Sequence, residues 1–353
     1  MAGRGGGMES ELVRTILDGV PLPVVLIGGD ERIKAVTVPA RDLFGAGVVG
    51  RHYLMAMRQP ALLDAVEGTL RHGQAGQARH VVTGPSSEAT YRVTVSPVLG
   101  EAQSGVLCVF EDITEAETIG QMRRDFVANV SHELRTPLTA LLGFIETLQG
   151  PARDDAPARA RFLGIMAREA MRMNRLVRDL LSLSRVEAEE RVRPTERVDL
   201  AALAGSVAAT LRPLAEAAGV VLRLDGLDAP AMVTADADQM TQVLHNLIEN
   251  AVKYGGTGKL VTVTLRHLPY EVALRRPALS IEVADRGEGI DPIHLPRLTE
   301  RFYRVDSHRS REKGGTGLGL AIVKHIVNRH RGRFRIDSEK GQGSRFTILL
   351  PAG

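Results

Sequence analysis

The chain has 353 residues, 44% of them apolar and 25% charged, and a formal net charge of +3. That length carries two or three domains with cores of their own, and that balance excludes a disordered chain and offers no argument for a nucleic-acid partner. A single cysteine, Cys108, excludes a disulfide framework within the chain and fits a reducing compartment, and no run of about 18 apolar residues is present to span a membrane.

The opening MAGRGGGMES lacks the apolar centre of a secretory signal, so the expected location is cytoplasmic, for a whole protein or the cytosolic part of a larger one. Residues 9–115 mix strand-like runs (PVVLIGG, HVVTG, YRVTVSPV, SGVLCVF) with helical patches such as PALLDAVEGTLRHG, which predicts an α+β domain. Within it Cys108 is expected on a buried strand, and His52, His72 and His80 at the surface. From 116 to 192 the pattern turns helical. Val130, Leu134, Leu138, Leu141, Ile145 and Leu148 form one apolar stripe, and Phe162, Met166, Ala170, Met173, Val177 and Leu180 a second. QGPARDDAPARA, 149–160, is the turn between them. Two antiparallel helices bury only one face of each, so a homodimeric four-helix bundle is expected, with packing on the chain's own domains as the alternative. From 197 to 353 strands (259–268, 278–285, 333–339 and 344–350) alternate with helices, Asp199 is placed to cap one of these, and LRHLPYEVALRRPA (265–278) reads as a long link between two strands.

On the first long helix, at about 100° per residue, His132 lies about 160–200° away from Val130 and Leu134, so it faces solvent. Glu133 sits at the border of the apolar stripe and Thr136 shares the histidine's face. A neutral imidazole is a good nucleophile when the proton on its other nitrogen is held, and an adjacent carboxylate can hold it. Pro137 cannot donate to the carbonyl of Glu133, so a bend is expected just beyond the histidine.

Three stretches converge toward the C-terminus. In QVLHNLIENAVKY (242–254) Gln242, Asn246, Glu249, Asn250 and Lys253 line one face, a set able to hold a hydrated Mg²⁺ and a phosphate. In ALSIEVADRGEGI (278–290) a strand ends in Asp285, whose carboxylate can accept from an exocyclic amine, and Gly287 and Gly289 let a flat ring approach backbone. GGTGLGLAIVKHIV (314–327) places glycines before a helix whose free N–H groups suit phosphate. It matches neither a P-loop nor a dinucleotide fingerprint. ERFYRVDSHRSREK (300–313) is expected to be a mobile lid carrying Arg304 toward a phosphate.

Together SHELRTPL, NLIENAVKY, DRGEGI, RFYRVD and GGTGLGL, in that order and spacing, resemble the sensor histidine kinases of two-component systems, most like the phosphate-regulon subgroup. Residues 9–115 resemble a PAS domain through LVRTILDGVPLPVVLIGGDERI and ARDLFG, with Val38 where such sequences often have Asn. The resemblance implies a multidomain α+β chain: a PAS-like domain (9–115), a dimeric helical hairpin with the phosphoacceptor (116–192) and an α/β-sandwich ATP-binding domain (197–353). It makes His132 the phosphorylated residue, Glu133 its acid/base partner and Asn250 the Mg²⁺ ligand, with Asn246 and Lys253 near the phosphates. Tyr254 would lie along adenine, Asp285 would bind its amino group beside Gly287 and Gly289, and Arg304 with Gly315, Thr316, Gly317, Leu318 and Gly319 would form the phosphate side and lid. ATP and Mg²⁺ are the implied cofactors, and a response-regulator receiver domain the implied partner. Thr136 is the residue expected to orient a water for dephosphorylation of that partner. An ATPase of the wider gyrase-like superfamily and a non-catalytic PAS scaffold gated by ATP stand as alternatives.

Overall fold

The computed structural model describes residues 15–17, 19–84, 88–99, 104–255, 258–306 and 315–352. The chain forms two compact units, residues 1–128 and 129–353.

In the first unit five strands, β1 (Val24–Gly28), β2 (Ile33–Val36), β3 (Gly76–Thr83), β4 (Glu88–Leu99) and β5 (Ser104–Asp112), form one antiparallel sheet in the order β2-β1-β5-β4-β3. Helices α1 (Val38–Phe44) and α2 (Pro60–His72) lie in the β2–β3 connection. Proline suits the first turn of α2, and Gly73, at φ 67°, closes it in the left-handed region that glycine enters without strain. Alternation along the strands buries Val93 and Val95 of β4 and Val106, Cys108 and Phe110 of β5 in one core with Val25, Ile27, Leu62 and Val66. Cys108 is thus the buried strand residue expected, and burial pushes its thiol up to about 12. His80 departs from expectation. It is only 6% exposed, packed edge-on against Phe110, and its Nδ1 is buried without a partner among the described residues. The cause is the pleat: Gln77 and Arg79 face out, which turns Ala78 and His80 inward.

A long helix, α3 (Thr114–Gln149), continues through Pro137. In the second unit its later part pairs with α4 (Ala156–Ala188), where Asp155 caps the start by accepting the Ala158 N–H at 2.9 Å and Phe144 packs on Phe162 with centroids 5.4 Å apart. The stripe residues Leu138, Ile145 and Val177 remain exposed, as do Leu142 and Leu181, while Leu176, Leu183 and Val186 on another face of α4 are buried.

Beyond the hairpin come β6 (Arg197–Asp199), α5 (Leu200–Ala217), β7 (Val221–Asp225), β8 (Met232–Thr234), α6 (Ala237–Gly255), β9 (Leu260–Glu271), β10 (Arg276–Asp285), α7 (Gly319–Arg329), β11 (Arg333–Glu339) and β12 (Gly343–Pro351). Asp199 caps α5, as expected, accepting the Ala201 and Ala202 N–H groups. A mixed sheet runs in the order β11-β12-β10-β9-β7, parallel only between β7 and β9, while β6 and β8 form a separate two-stranded sheet. Helix α6 packs between α5 and α7 and over the sheet, burying Leu244, Leu247, Ile248 and Ala251. Helix α7 also packs on α4.

Residues 265–278 are not a link. They are the far ends of β9 and β10, which continue as a hairpin to a turn holding Arg275 at φ 53°. The register shifts between Arg276 and Ala278, and Pro277 occupies that irregularity, where no ladder N–H is needed. Among the described residues no helix is long and apolar enough to cross a membrane.

Candidate active site

A cavity of about 630 Å³ opens between α6, the end of β10, the segment 303–306, the 315–319 loop and one side of α4. Asn246, Asn250, Lys253, Tyr254, Asp285, Gly289, Arg304, Gly315, Thr316, Gly317 and Gly319 all line it. Four separate sequence stretches therefore meet at one place. Gly287 and Leu318 support it without lining it, and His132, Glu133 and Thr136 lie outside its wall. The part of the expected lid at 307–313, with Gly314, lies outside the described residues.

Helix α6 divides into two faces. Its apolar one is in the core, so Asn246, Glu249, Asn250 and Lys253 are directed to the cavity. Asn246 donates from Nδ2 to the Gly319 carbonyl at 3.3 Å, tying α6 to the start of α7. Asn250 makes no side-chain hydrogen bond among the described residues. Lys253 Nζ pairs with Glu249 Oε1 at 2.8 Å, and Arg175 of α4 approaches the same oxygen at 3.7 Å. Burial opposes ionisation of Glu249, but these cations outweigh it and hold its carboxyl below the ordinary range.

At the other end Asp285 is 9% exposed. Its Oδ1 accepts the Gly287 N–H at 2.8 Å and the Ser344 N–H at 3.3 Å, leaving Oδ2 without a partner among the described residues. Burial pushes this carboxyl up, and the two N–H groups only partly offset that. Close backbone packing also requires glycine at both following positions. A Cβ on Gly287 would come within 2.6 Å of Gly255 Cα, and one on Gly289, at φ 68°, within 2.0 Å of the Glu339 carbonyl oxygen. They let the turn after β10 seat against its neighbours, which shapes the cavity floor.

The glycine-rich loop meets the helical hairpin of α3 and α4. Gly317, at φ 73°, passes within 2.8 Å of Phe302 where a Cβ would stand. The Thr316 hydroxyl donates to Asp179 Oδ2 of α4 at 2.6 Å and accepts the Leu318 N–H at 3.3 Å. Burial raises the Asp179 carboxyl, against the pull of the Thr316 bond and of Arg175. Helix α7 starts at Gly319 with no side-chain cap. Its first N–H groups are of the kind that bind anions.

His132 is exposed and Pro137 buried, as the phase on α3 requires. Glu133 accepts from Arg172 at 2.8 Å and from Arg304 Nη2 at 3.0 Å. Arg304, with 8% of its side chain exposed, also donates to the Thr316 carbonyl at 2.9 Å, and its Nε is buried without a partner among the described residues. Arg304 thus lines the cavity while its charge is engaged by Glu133. Thr136 Oγ1 donates back to the His132 carbonyl at 3.1 Å. Arg172, Asp179 and Arg178 were not expected at the site; their polar phase on α4 was visible, but not what it would face.

A family of histidine kinase-, DNA gyrase B- and HSP90-like ATPases matches residues 235–353, and the His Kinase A phospho-acceptor domain matches 122–189. The chain is 43% identical over 241 residues to the phosphate regulon sensor protein PhoR of Pseudomonas aeruginosa, covering 68% of this chain and 53% of that protein. It is 39% identical over 247 residues to the sensor histidine kinase WalK of Bacillus subtilis, covering 70% and 39% respectively. The chain thus spans about half the length, or less, of these relatives. Its fold is similar to that of the histidine kinase ThkA, solved in complex with the response regulator protein TrrA, with a TM-score of 0.52, 20% identity, and coverage of 96% of this chain and 98% of that one. The chain belongs to the sensor histidine kinases of two-component systems.

Proposed function

We propose that the chain is an ATP-dependent protein-histidine kinase that phosphorylates His132 and donates that phosphoryl group to an aspartate of a response regulator. The observation that carries the reading is one cavity joining an adenine-type acceptor, Asp285, to a helix face of amides and lysine and to a glycine-rich helix start, with an exposed histidine on the adjoining hairpin.

Asp285 Oδ2 accepts the exocyclic amine of adenine, and Tyr254 lies along the ring. Asn246, Lys253 and the Gly315–Gly319 loop hold the phosphates, and the open carboxamide of Asn250 suits Mg²⁺, which commonly keeps most of its waters and takes few protein ligands. Among the described residues no cluster of three His, Cys, Asp or Glu side chains competes for it. When bound, the ion supplies neutralisation of phosphate charge. An imidazole nitrogen of His132 attacks the γ-phosphorus, a nitrogen–phosphorus bond forms and the bond to the ADP oxygen breaks. Glu133 holds the proton on the other nitrogen. His132 does not line the cavity, so transfer needs the hairpin and the cavity to be re-posed, which releases Glu133 from Arg304.

The exposed Leu138, Ile145 and Val177 support homodimerisation through the hairpin. The sheet order β2-β1-β5-β4-β3, with helices between β2 and β3, supports the PAS-like reading of 9–115, beside 116–192 as hairpin and 197–353 as ATP-binding domain. Dependence on ATP supports a cytoplasmic location, and Thr136 is assigned the dephosphorylation role. Incubation with γ-labelled ATP and Mg²⁺ should give protein-bound label that survives base, is lost in acid, and moves to an added receiver domain. Release of free phosphate with no bound label would instead indicate a simple ATPase.

A further inference from the structure

The wall that α4 lends to the cavity has no part in the reading above. Arg175 and Arg178 of that helix, the second of the phosphoacceptor hairpin, line the cavity with Lys253 and Arg304. A triphosphate brings several negative charges into such a space and needs cations to offset them. Lys253 is paired with Glu249, Arg304 with Glu133, and Arg175 approaches Glu249. Arg178 is different: among the described residues it makes no ion pair or hydrogen bond. It stands one residue before Asp179, which is fixed to the glycine-rich loop through Thr316 at 2.6 Å, while Ser182 on the next turn donates to Gln242 of α6 at 2.7 Å. Helix α4 is therefore tied to the rim of the cavity by these two hydrogen bonds, and the exposed Arg178 lines the same cavity with no neutralising partner among the described residues.

We infer that Arg178 is a phosphate-contacting residue of the nucleotide site, supplied by the phosphoacceptor hairpin, so that the hairpin completes the triphosphate pocket. This rests on the nucleotide reading of the same cavity. A guanidinium presents a planar fork of donors that matches phosphate oxygens, and Arg178 has no competing carboxylate to give up first. Because it is exposed, its contribution is screened, and the expected gain in affinity is roughly three- to tenfold at low salt. The consequence is a coupling: triphosphate binding favours the state in which α4 lies against the 315–319 loop, and re-posing the hairpin for transfer gives up one phosphate contact.

The test is calorimetric titration of the full chain with AMPPNP and Mg²⁺, and separately with adenosine, for the wild type, Arg178→Gln and Arg178→Lys. The inference predicts a dissociation constant for AMPPNP raised about three- to tenfold in Arg178→Gln, partial recovery in Arg178→Lys, a difference that shrinks as salt rises, and no change for adenosine. Equal AMPPNP affinity in Arg178→Gln and wild type would overturn it. So would an equal fall for adenosine, which would mean general damage to the cavity. If the wild type bound neither ligand, the nucleotide reading itself would fall, and this inference with it.

Discussion

Replacing Asp285 by asparagine changes one atom at the base of the cavity and leaves the scaffold almost untouched. Oδ1 accepts the Gly287 and Ser344 N–H groups, and an asparagine carbonyl can accept both in the same way. The change falls on Oδ2, where an acceptor becomes an N–H donor facing the amine of adenine. Loss of a charge-assisted hydrogen bond, together with two donors left opposed, costs about 2–4 kcal/mol, or about 30- to 1,000-fold in affinity. Stability moves the other way. Burial raises the Asp285 carboxyl above its ordinary 3.8, so the ionised form is disfavoured in the folded state and this burden builds up as the pH rises above 3.8. Asp285→Asn should therefore melt at the same temperature as wild type or higher near pH 7, while titration with AMPPNP shows the loss of binding. A purine nucleotide with a carbonyl in place of the amine should bind the variant better than it binds wild type. AMPPNP affinity within about twofold of wild type, in a folded variant, would refute the assignment of Asp285 to adenine.

Leu138→Glu combined with Val177→Glu should convert a dimer to a monomer by sedimentation, since both side chains are exposed in the single chain and each charge would enter an apolar seam unpaired; a dimer unchanged at micromolar concentration would count against the bundle. Thr136→Ala should leave labelling of His132 largely intact but slow dephosphorylation of the regulator, by about tenfold if one oriented hydrogen bond is lost; equal rates would mean that the hydroxyl does no more than bond to the His132 carbonyl. Burial lowers His80 below the ordinary 6.5, so the folded state binds fewer protons than the unfolded one between those two values. Stability of the first unit should be full above 6.5 and fall as the pH drops through the depressed value, read as declining hydrogen-exchange protection in β3 to β5, a decline that His80→Phe should lessen.

Local chemistry was legible in the sequence where it acts over a few residues. The phase of α3 put His132 outward, Asp199 announced a helix start, and the amide face of α6 was visible opposite Leu244, Leu247 and Ile248. What was hidden depends on distant partners. Glu133 meets Arg172 and Arg304 across 39 and 171 positions, and no local pattern predicts that its carboxylate is held. Asp179 and Arg178 had the polar phase of a solvated helix face until the fold set the cavity against them. The stretch 265–278 read as a link, yet β9 and β10 run on through Pro269 and Pro277, with a register shift between Arg276 and Ala278 that no local pattern announces. His80 was misjudged because histidine is commonly at the surface, although the alternation through Gln77 and Arg79 carried the inward signal.

The chemistry of the histidine is the centre of the account. Mass spectrometry of the protein after incubation with ATP and Mg²⁺, digested and held at alkaline pH so that a phosphoramidate survives, locates the modified residue directly. The account predicts phosphate on His132 within FVANVSHELRTPLTALLGF, and none in the same peptide from His132→Ala, which still binds AMPPNP. Phosphate at any other residue, or an unchanged yield in His132→Ala, would contradict it.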